Sequence, residues 1–288
     1  MTLLEQPVIE AHLPDLAALR SAEVALPRPD ARPIREPNAT LLARENVTDS
    51  MAAFTIALDS PVERYRPGQY VSLGIAVNGA LVQRPYSIVA LDGIQDGVAG
   101  RLELFIRRVP DGALSSRLWH LPVGARVHVG SPKGLFVLDE ADRRPRLFIG
   151  TGTGLAPLLA MLDELVSRGD DVPSALVHGV SYRDELAYGY RIAAWMASGL
   201  PLFYRPAVSR PDDPRNDGWR GLNGRADVAV ARVLDEMPAL RGGIAYLCGN
   251  ASMIESCSEI LQAAGLAPAD IRAETFHGQV AATGRSVA

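Results

Sequence analysis

Apolar residues are spaced in two different ways along the chain, and the change falls near its middle. From Asn38 to about Leu138 they come in short alternating or β-branched runs, over residues 40–47, 54–58, 70–73, 86–89, 102–107 and 126–129. The pairs Pro67-Gly68, Asn78-Gly79 and Asp92-Gly93 stand between runs, where turn chemistry is wanted. Short runs of period two with such punctuation predict a small antiparallel barrel, with one helix over 115–119. After Arg143 an apolar strand at 147–149 enters a glycine-rich turn and a helix over 155–166. Further strands at 175–178, 202–204 and 244–247 alternate with helices over 191–197, 226–234 and 252–263. That alternation predicts a parallel sheet wound by right-handed crossovers. The fold expected is therefore two-domain: an arm or linker at 1–37, an antiparallel β-barrel at 38–140, and an α/β domain at 141–288 that ends in an extension. The arm mixes Leu13, Leu16, Ala17 and Leu19 with Pro27, Pro29, Pro33 and Pro37, and reads either as a strap on the body or as a tail.

Composition narrows the function classes. At 288 residues and 48% hydrophobic content two modest cores are possible, and a net charge of -4 offers no cationic field for nucleic acid. Lys133 is the single lysine, so an anion site would be built from arginine forks. Cys248 and Cys257 are too few for a four-thiolate iron–sulfur cluster or zinc site, so a built-in ferredoxin domain is not expected. The five histidines, His12, His120, His128, His178 and His277, have no ligand spacing. No run is long enough to cross a bilayer and no basic-then-apolar leader opens the chain, so a soluble, unexported, cytoplasmic protein is expected.

Four motifs carry candidate chemistry. Gly150-Thr151-Gly152-Thr153-Gly154-Leu155-Ala156-Pro157 lies where a strand ends and a helix begins, a place suited to a pyrophosphate, although a plain tight turn has the same local sequence. Arg84-Pro85-Tyr86-Ser87 opens a barrel strand with a phosphate clamp, a flat ring and a hydroxyl; a buried strand with one surface arginine is the ordinary alternative. Asp111-Gly112-Ala113-Leu114-Ser115-Ser116 places hydroxyls at a helix start, for capping or for phosphate. Cys248-Gly249-Asn250 ends a strand on the edge where open α/β sheets bind ligands, yet a buried structural cysteine reads the same way.

In this order and on these elements, the motifs from Asn38 to His277 resemble the ferredoxin–NADP reductase superfamily, above all its bacterial ferredoxin/flavodoxin reductase branch. The resemblance implies an FAD-binding barrel followed by a nicotinamide-nucleotide domain. It implies flavin-dependent electron transfer between NADP(H) and ferredoxin or flavodoxin. It places Arg84 on the FAD pyrophosphate, Pro85 and Tyr86 against the flavin, and Ser87 at the ring nitrogen that accepts hydride. Leu114, Ser115 and Ser116 form the second half of the phosphate cradle. Thr151, Gly152, Thr153 and Gly154 meet flavin and nicotinamide together, and Cys248 with Gly249 borders the nicotinamide. In Ala273-Glu274-Thr275-Phe276-His277, Glu274 belongs to the cofactor site and Phe276, or His277 instead, covers the flavin face. Ser87, Cys248 and Phe276 are the catalytic candidates.

Nucleotide choice rests on arginines. Val208-Ser209-Arg210 and Gly224-Arg225 resemble the segments that hold a 2′-phosphate, favouring NADPH over NADH, with ordinary surface ion pairs as the alternative. At Ser181 many relatives carry arginine, and Arg183 stands nearby as a substitute. The rival readings are an NADH-dependent reductase component of an oxygenase system, a free-flavin reductase and a non-catalytic flavin-binding subunit. Arg64, Arg66, Arg107 and Arg108 are candidates for a carrier-docking patch, or scattered solvated charge.

Overall fold

The computed structural model describes residues 36–62, 65–92 and 100–276. The arm up to residue 35, Arg64, Gly93, His277 and the extension after it lie outside the described residues.

The first half forms strands β1 (Ala39–Thr48), β2 (Met51–Leu58), β3 (Tyr70–Val77), β4 (Ala80–Asp92) and β5 (Arg101–Arg107), a one-turn helix α1 (Ser115–Leu118), and β6 (Arg126–Val129). They close into a six-stranded barrel in the order β1-β2-β5-β4-β3-β6, every pair antiparallel. Alternation is the cause: Phe54 and Ile56 of β2 and Leu102, Leu104 and Ile106 of β5 turn inward and fill the barrel with Leu73 and Ile88. The hairpin β3–β4 is longer than its apolar pattern predicts. Asn78 (φ 49°) and Gly79 (φ 78°) both take the left-handed conformation, as a two-residue turn that follows strand twist requires. That turn fixes a register in which Arg84 faces Leu73 and Ser87 faces Tyr70.

The second half contains β7 (Arg146–Thr151), α2 (Leu155–Ser167), β8 (Ser174–Val180), α3 (Gly189–Ala197), β9 (Leu202–Val208), β10 (Leu222–Asn223), α4 (Ala226–Glu236), β11 (Ile244–Gly249), α5 (Ala251–Ala263) and β12 (Ile271–Thr275). All six strands are parallel, in the order β10-β9-β8-β7-β11-β12. The winding reverses between β7 and β11, so their carboxyl ends flank the crevice where open sheets take ligands.

Helix α2 buries Leu155 to Leu162 without a break, and Leu165 as well, which a one-sided helix would not do. It lies between the sheet and the barrel. Met51, Val89, Phe105, Phe136 and Leu138 from the first half join Phe148, Leu158, Met161 and Tyr246 from the second in one apolar cluster. A further cluster fills the other face of the sheet beneath α4 and α5. At the foot of β7 the buried Arg146 pairs with Asp170 at 2.9 Å.

Candidate active site

The glycine-rich turn is built by packing before any ligand is considered. A Cβ on Gly154 would sit 2.1 Å from the carbonyl oxygen of Cys248, and one on Gly150 would sit 3.0 Å from the Leu158 side chain. These glycines therefore let β7, α2 and the end of β11 close on one another. Gly152 differs: its φ of 53° is a left-handed conformation, and it faces open space except for the Arg107 guanidinium.

Sheet register then sets Glu274, Cys248, Gly150 and His178 side by side across β12, β11, β7 and β8. Barrel residue Ser87 meets this row from the other half, its hydroxyl donating to Glu274 Oε2 at 3.3 Å. Burial raises the Glu274 carboxyl above its ordinary value, opposed by the Ser87 hydroxyl. Burial, with the Glu274 charge adding to it, raises the Cys248 thiol well above its ordinary value, so it is held as a thiol. Tyr86 is pushed up to about 12 by burial, with Arg84 acting the other way.

A cavity of about 890 Å³ opens between barrel and sheet. Its barrel wall is Arg84, Pro85, Tyr86, Ser87, Leu114 and Ser115, and its sheet wall is Thr151, Gly152, Thr153, Ser209, Arg210, Arg225 and Phe276. Both anion-suited motifs thus share one cleft. Phe276 is pinned there by its N–H, which donates to the Gly249 carbonyl at 2.8 Å. Cys248, Gly249, Glu274 and Gly154 stand immediately behind the lining.

Two expected residues lie elsewhere. Ser116 is turned away, its hydroxyl donating to the Gly112 carbonyl. Neither serine caps α1, whose cap is Leu114; Ser115 instead accepts the Val109 N–H at 3.0 Å and shapes the loop before the helix. Arg183 does not line the cavity: its N–H donates to Asn216 Oδ1 at 2.7 Å, and its guanidinium lies beside Gly218. Tyr182 instead meets two guanidiniums over its ring, Arg210 at 5.3 Å from the ring centre and Arg215 at 3.6 Å.

Arg107, a candidate for a carrier-docking patch or for scattered solvated charge, is exposed but stands at the cleft. Arg107 lines the cavity and pairs with Glu185 at 3.1 Å. Glu185 and Phe105 line it as well and had gone unnoticed, and Asn250 and Met253, which follow Cys248 in its motif, line it without having been named as site residues. Only Asn250 left a local signal, an asparagine before a helix, and its side chain does accept the Met253 N–H at 2.9 Å.

Charge tells what the cavity suits. Arg84, Arg210 and Arg225 have no ion pair with a described residue; they bond Gln83 O (2.8 Å), the Tyr182 hydroxyl and Ser252 Oγ (3.2 Å) respectively. Three unneutralised guanidiniums around one cleft, with Tyr86 and Phe276 between them, fit ligands that join several phosphates to flat rings.

Comparison with known proteins agrees. The oxidoreductase FAD-binding domain family matches residues 38–138, and the oxidoreductase NAD-binding domain family matches residues 148–259. A ferredoxin–NADP reductase of Pseudomonas aeruginosa is 32% identical over 228 residues, covering 72% of this chain and 82% of that protein. The electron transfer component of toluate 1,2-dioxygenase from Pseudomonas putida is 35% identical over 216 residues, covering 74% of this chain; the chain spans 59% of that relative's length. The crystal structure of an Amycolatopsis cytochrome P450 reductase superposes with a TM-score of 0.71 at 28% identity, covering 84% of this chain and 70% of that one. With both halves matched in order around a single cleft, the chain belongs to the ferredoxin–NADP reductase superfamily, as an oxidoreductase whose cofactors are FAD and a pyridine nucleotide.

Proposed function

We propose that this chain is a ferredoxin/flavodoxin–NADP reductase, in which residues 38–140 hold FAD and residues 141–288 hold NADP(H). The observation that carries this reading is the cavity itself, where Arg84, Tyr86 and Ser87 face Thr151, Gly152 and Arg210 with Phe276 between them. Arg84 and the Ser115 segment would hold the FAD phosphates, and Tyr86 would lie along the ring system. Bound FAD supplies the chemistry that no side chain has, taking two electrons as hydride and releasing them one at a time. The chain's own task is placement and shielding.

Ser87 holds a hydroxyl proton toward Glu274, whose carboxyl is raised above its ordinary value by burial and drawn back by that hydroxyl. Cys248, fully buried behind the lining beside Gly150 and held as a thiol, puts no thiolate charge next to the place a nicotinamide would take. Phe276 would cover the inner wall and exclude water, with its main chain tied to the Gly249 carbonyl. Ser209, Arg210 and Arg225 would receive the 2′-phosphate, which favours NADPH.

The purified protein should be yellow and should oxidise NADPH with ferricyanide, a ferredoxin or a flavodoxin as acceptor. A colourless protein that takes up no FAD ends this reading. The second reading is an NADH-dependent reductase component of an oxygenase system. It is favoured by Ser181 in place of an arginine and by relatives such as the naphthalene 1,2-dioxygenase reductase component of Pseudomonas putida, 28% identical across 85% of this chain. The ratio of kcat/KM for the two nucleotides separates them.

A further inference from the structure

Strand β5 presents Glu103, Phe105 and Arg107 outward at period two, and all three meet one segment of the other half, Glu185 to Arg191. Glu103 accepts the Tyr188 hydroxyl at 2.7 Å and lies 3.4 Å from Arg191 Nη1. Phe105 meets the Tyr188 ring edge-on at 5.3 Å. Arg107 pairs with Glu185, whose side chain is only 6% exposed. The other Glu185 oxygen accepts the N–H groups of Ser181 (3.0 Å) and Tyr182 (3.4 Å). One buried carboxylate thus ties a barrel guanidinium to the backbone of the loop that carries Ser181 and Tyr182. Arg107 also covers the left-handed Gly152, where an added Cβ would sit 3.1 Å from its Nη2. A buried carboxylate stripped of its guanidinium is costly, so the loop is held where Arg107 stands.

We propose that Arg107 is a positioning residue for the pyridine nucleotide, acting through Glu185 to fix the Ser181–Tyr182 loop relative to the barrel. The proposal rests on the reading of this cleft as a nucleotide site. Its geometry makes Arg107 and Glu185 one unit, so their effects are coupled rather than additive.

The test uses the full chain loaded with FAD, carrying Arg107→Gln, Glu185→Gln, both changes together, or Arg107→Lys. NADP+ affinity is read by calorimetry and backbone exchange at Ser181 and Tyr182 by hydrogen–deuterium exchange. Each glutamine variant should bind NADP+ roughly tenfold more weakly and exchange faster at both amides, with the double variant no weaker than the weaker single. Arg107→Lys keeps the charge and should recover most of the affinity. Weak binding in Arg107→Gln beside wild-type behaviour in Glu185→Gln would make Arg107 a direct ligand and overturn the proposal; so would losses that multiply, or a lysine variant as weak as the glutamine one. Wild-type protein that binds FAD but neither NADP+ nor NAD+ would defeat the nucleotide reading and this role together. Wild-type binding with unchanged exchange in both variants would defeat this role alone.

Discussion

His178 is a fully buried imidazole inside a sheet strand, with Nδ1 3.4 Å from the Tyr204 hydroxyl and Nε2 without a partner among the described residues. Burial lowers its pKa to about 4, with the Gly152 backbone acting the other way. The unfolded chain takes up this proton near pH 6.5, so between there and about pH 4 it binds more protons than the folded one. The stability tied to His178 is therefore complete above that window and is lost as pH falls through it, by up to about 3 kcal/mol. His178→Gln should flatten this part of the profile, read as urea midpoints at about pH 5 and about pH 7. A variant that loses stability on acidification as steeply as the parent does would refute it. Arg210 sets a second residue-scale expectation. Without a carboxylate partner its guanidinium is free for a 2′-phosphate, a contact worth about 1.5–3 kcal/mol, so Arg210→Ala should raise KM for NADPH by roughly ten- to a hundredfold and leave that for NADH nearly unchanged. Equal losses for both nucleotides would remove Arg210 from the phosphate site.

At the scale of elements, the strands and helices that fill a core were legible, because their periodicity records one buried face. The short β10 and the edge strand β12 were not. Ile271–Thr275 is half-exposed and carries Arg272 and Glu274, so it has no apolar run; pairing with β11 makes it a strand. Glu185 was hidden similarly, since a charged residue in a polar loop looks solvated until the barrel closes over it. A buried ion pair between the start of β7 and the turn after α2 anchors β7. Arg146 and Asp170 are 1% and 2% exposed in their side chains. Burial pushes the Asp170 carboxyl up, but the Val172 N–H, Arg146 and Arg143 together bring it below its ordinary value. Its stabilising share is thus present at neutral pH and lost as pH falls through the carboxylate range. Asp170→Asn should cost about 3–5 kcal/mol by leaving Arg146 uncompensated, measured by urea unfolding, and a loss below about 1 kcal/mol would show the pair to be dispensable.

Across the whole molecule, barrel and sheet share one apolar cluster with α2 at its centre. Phe136, from the barrel side, meets Tyr246 of β11 edge-on at 6.2 Å. The two halves should therefore unfold together. Phe136→Ala should lower stability by about 3–5 kcal/mol while circular dichroism and flavin fluorescence still report one coincident transition. Two separated transitions in the parent protein would mean that the halves are energetically independent.

The sequence alone determined the order of elements, the change from barrel to wound sheet, and the turns that carry Arg84 and Gly150. Hydrophobic period and turn chemistry act between near neighbours, which is why they can be read along a chain. Only the tertiary structure decided which of these motifs face one another. The Ser87–Glu274 contact joins residues 187 apart and the Arg107–Glu185 pair residues 78 apart. Both exist because barrel closure and parallel crossovers bring those side chains to one cleft, and no local pattern records where a closed barrel will point its outer face.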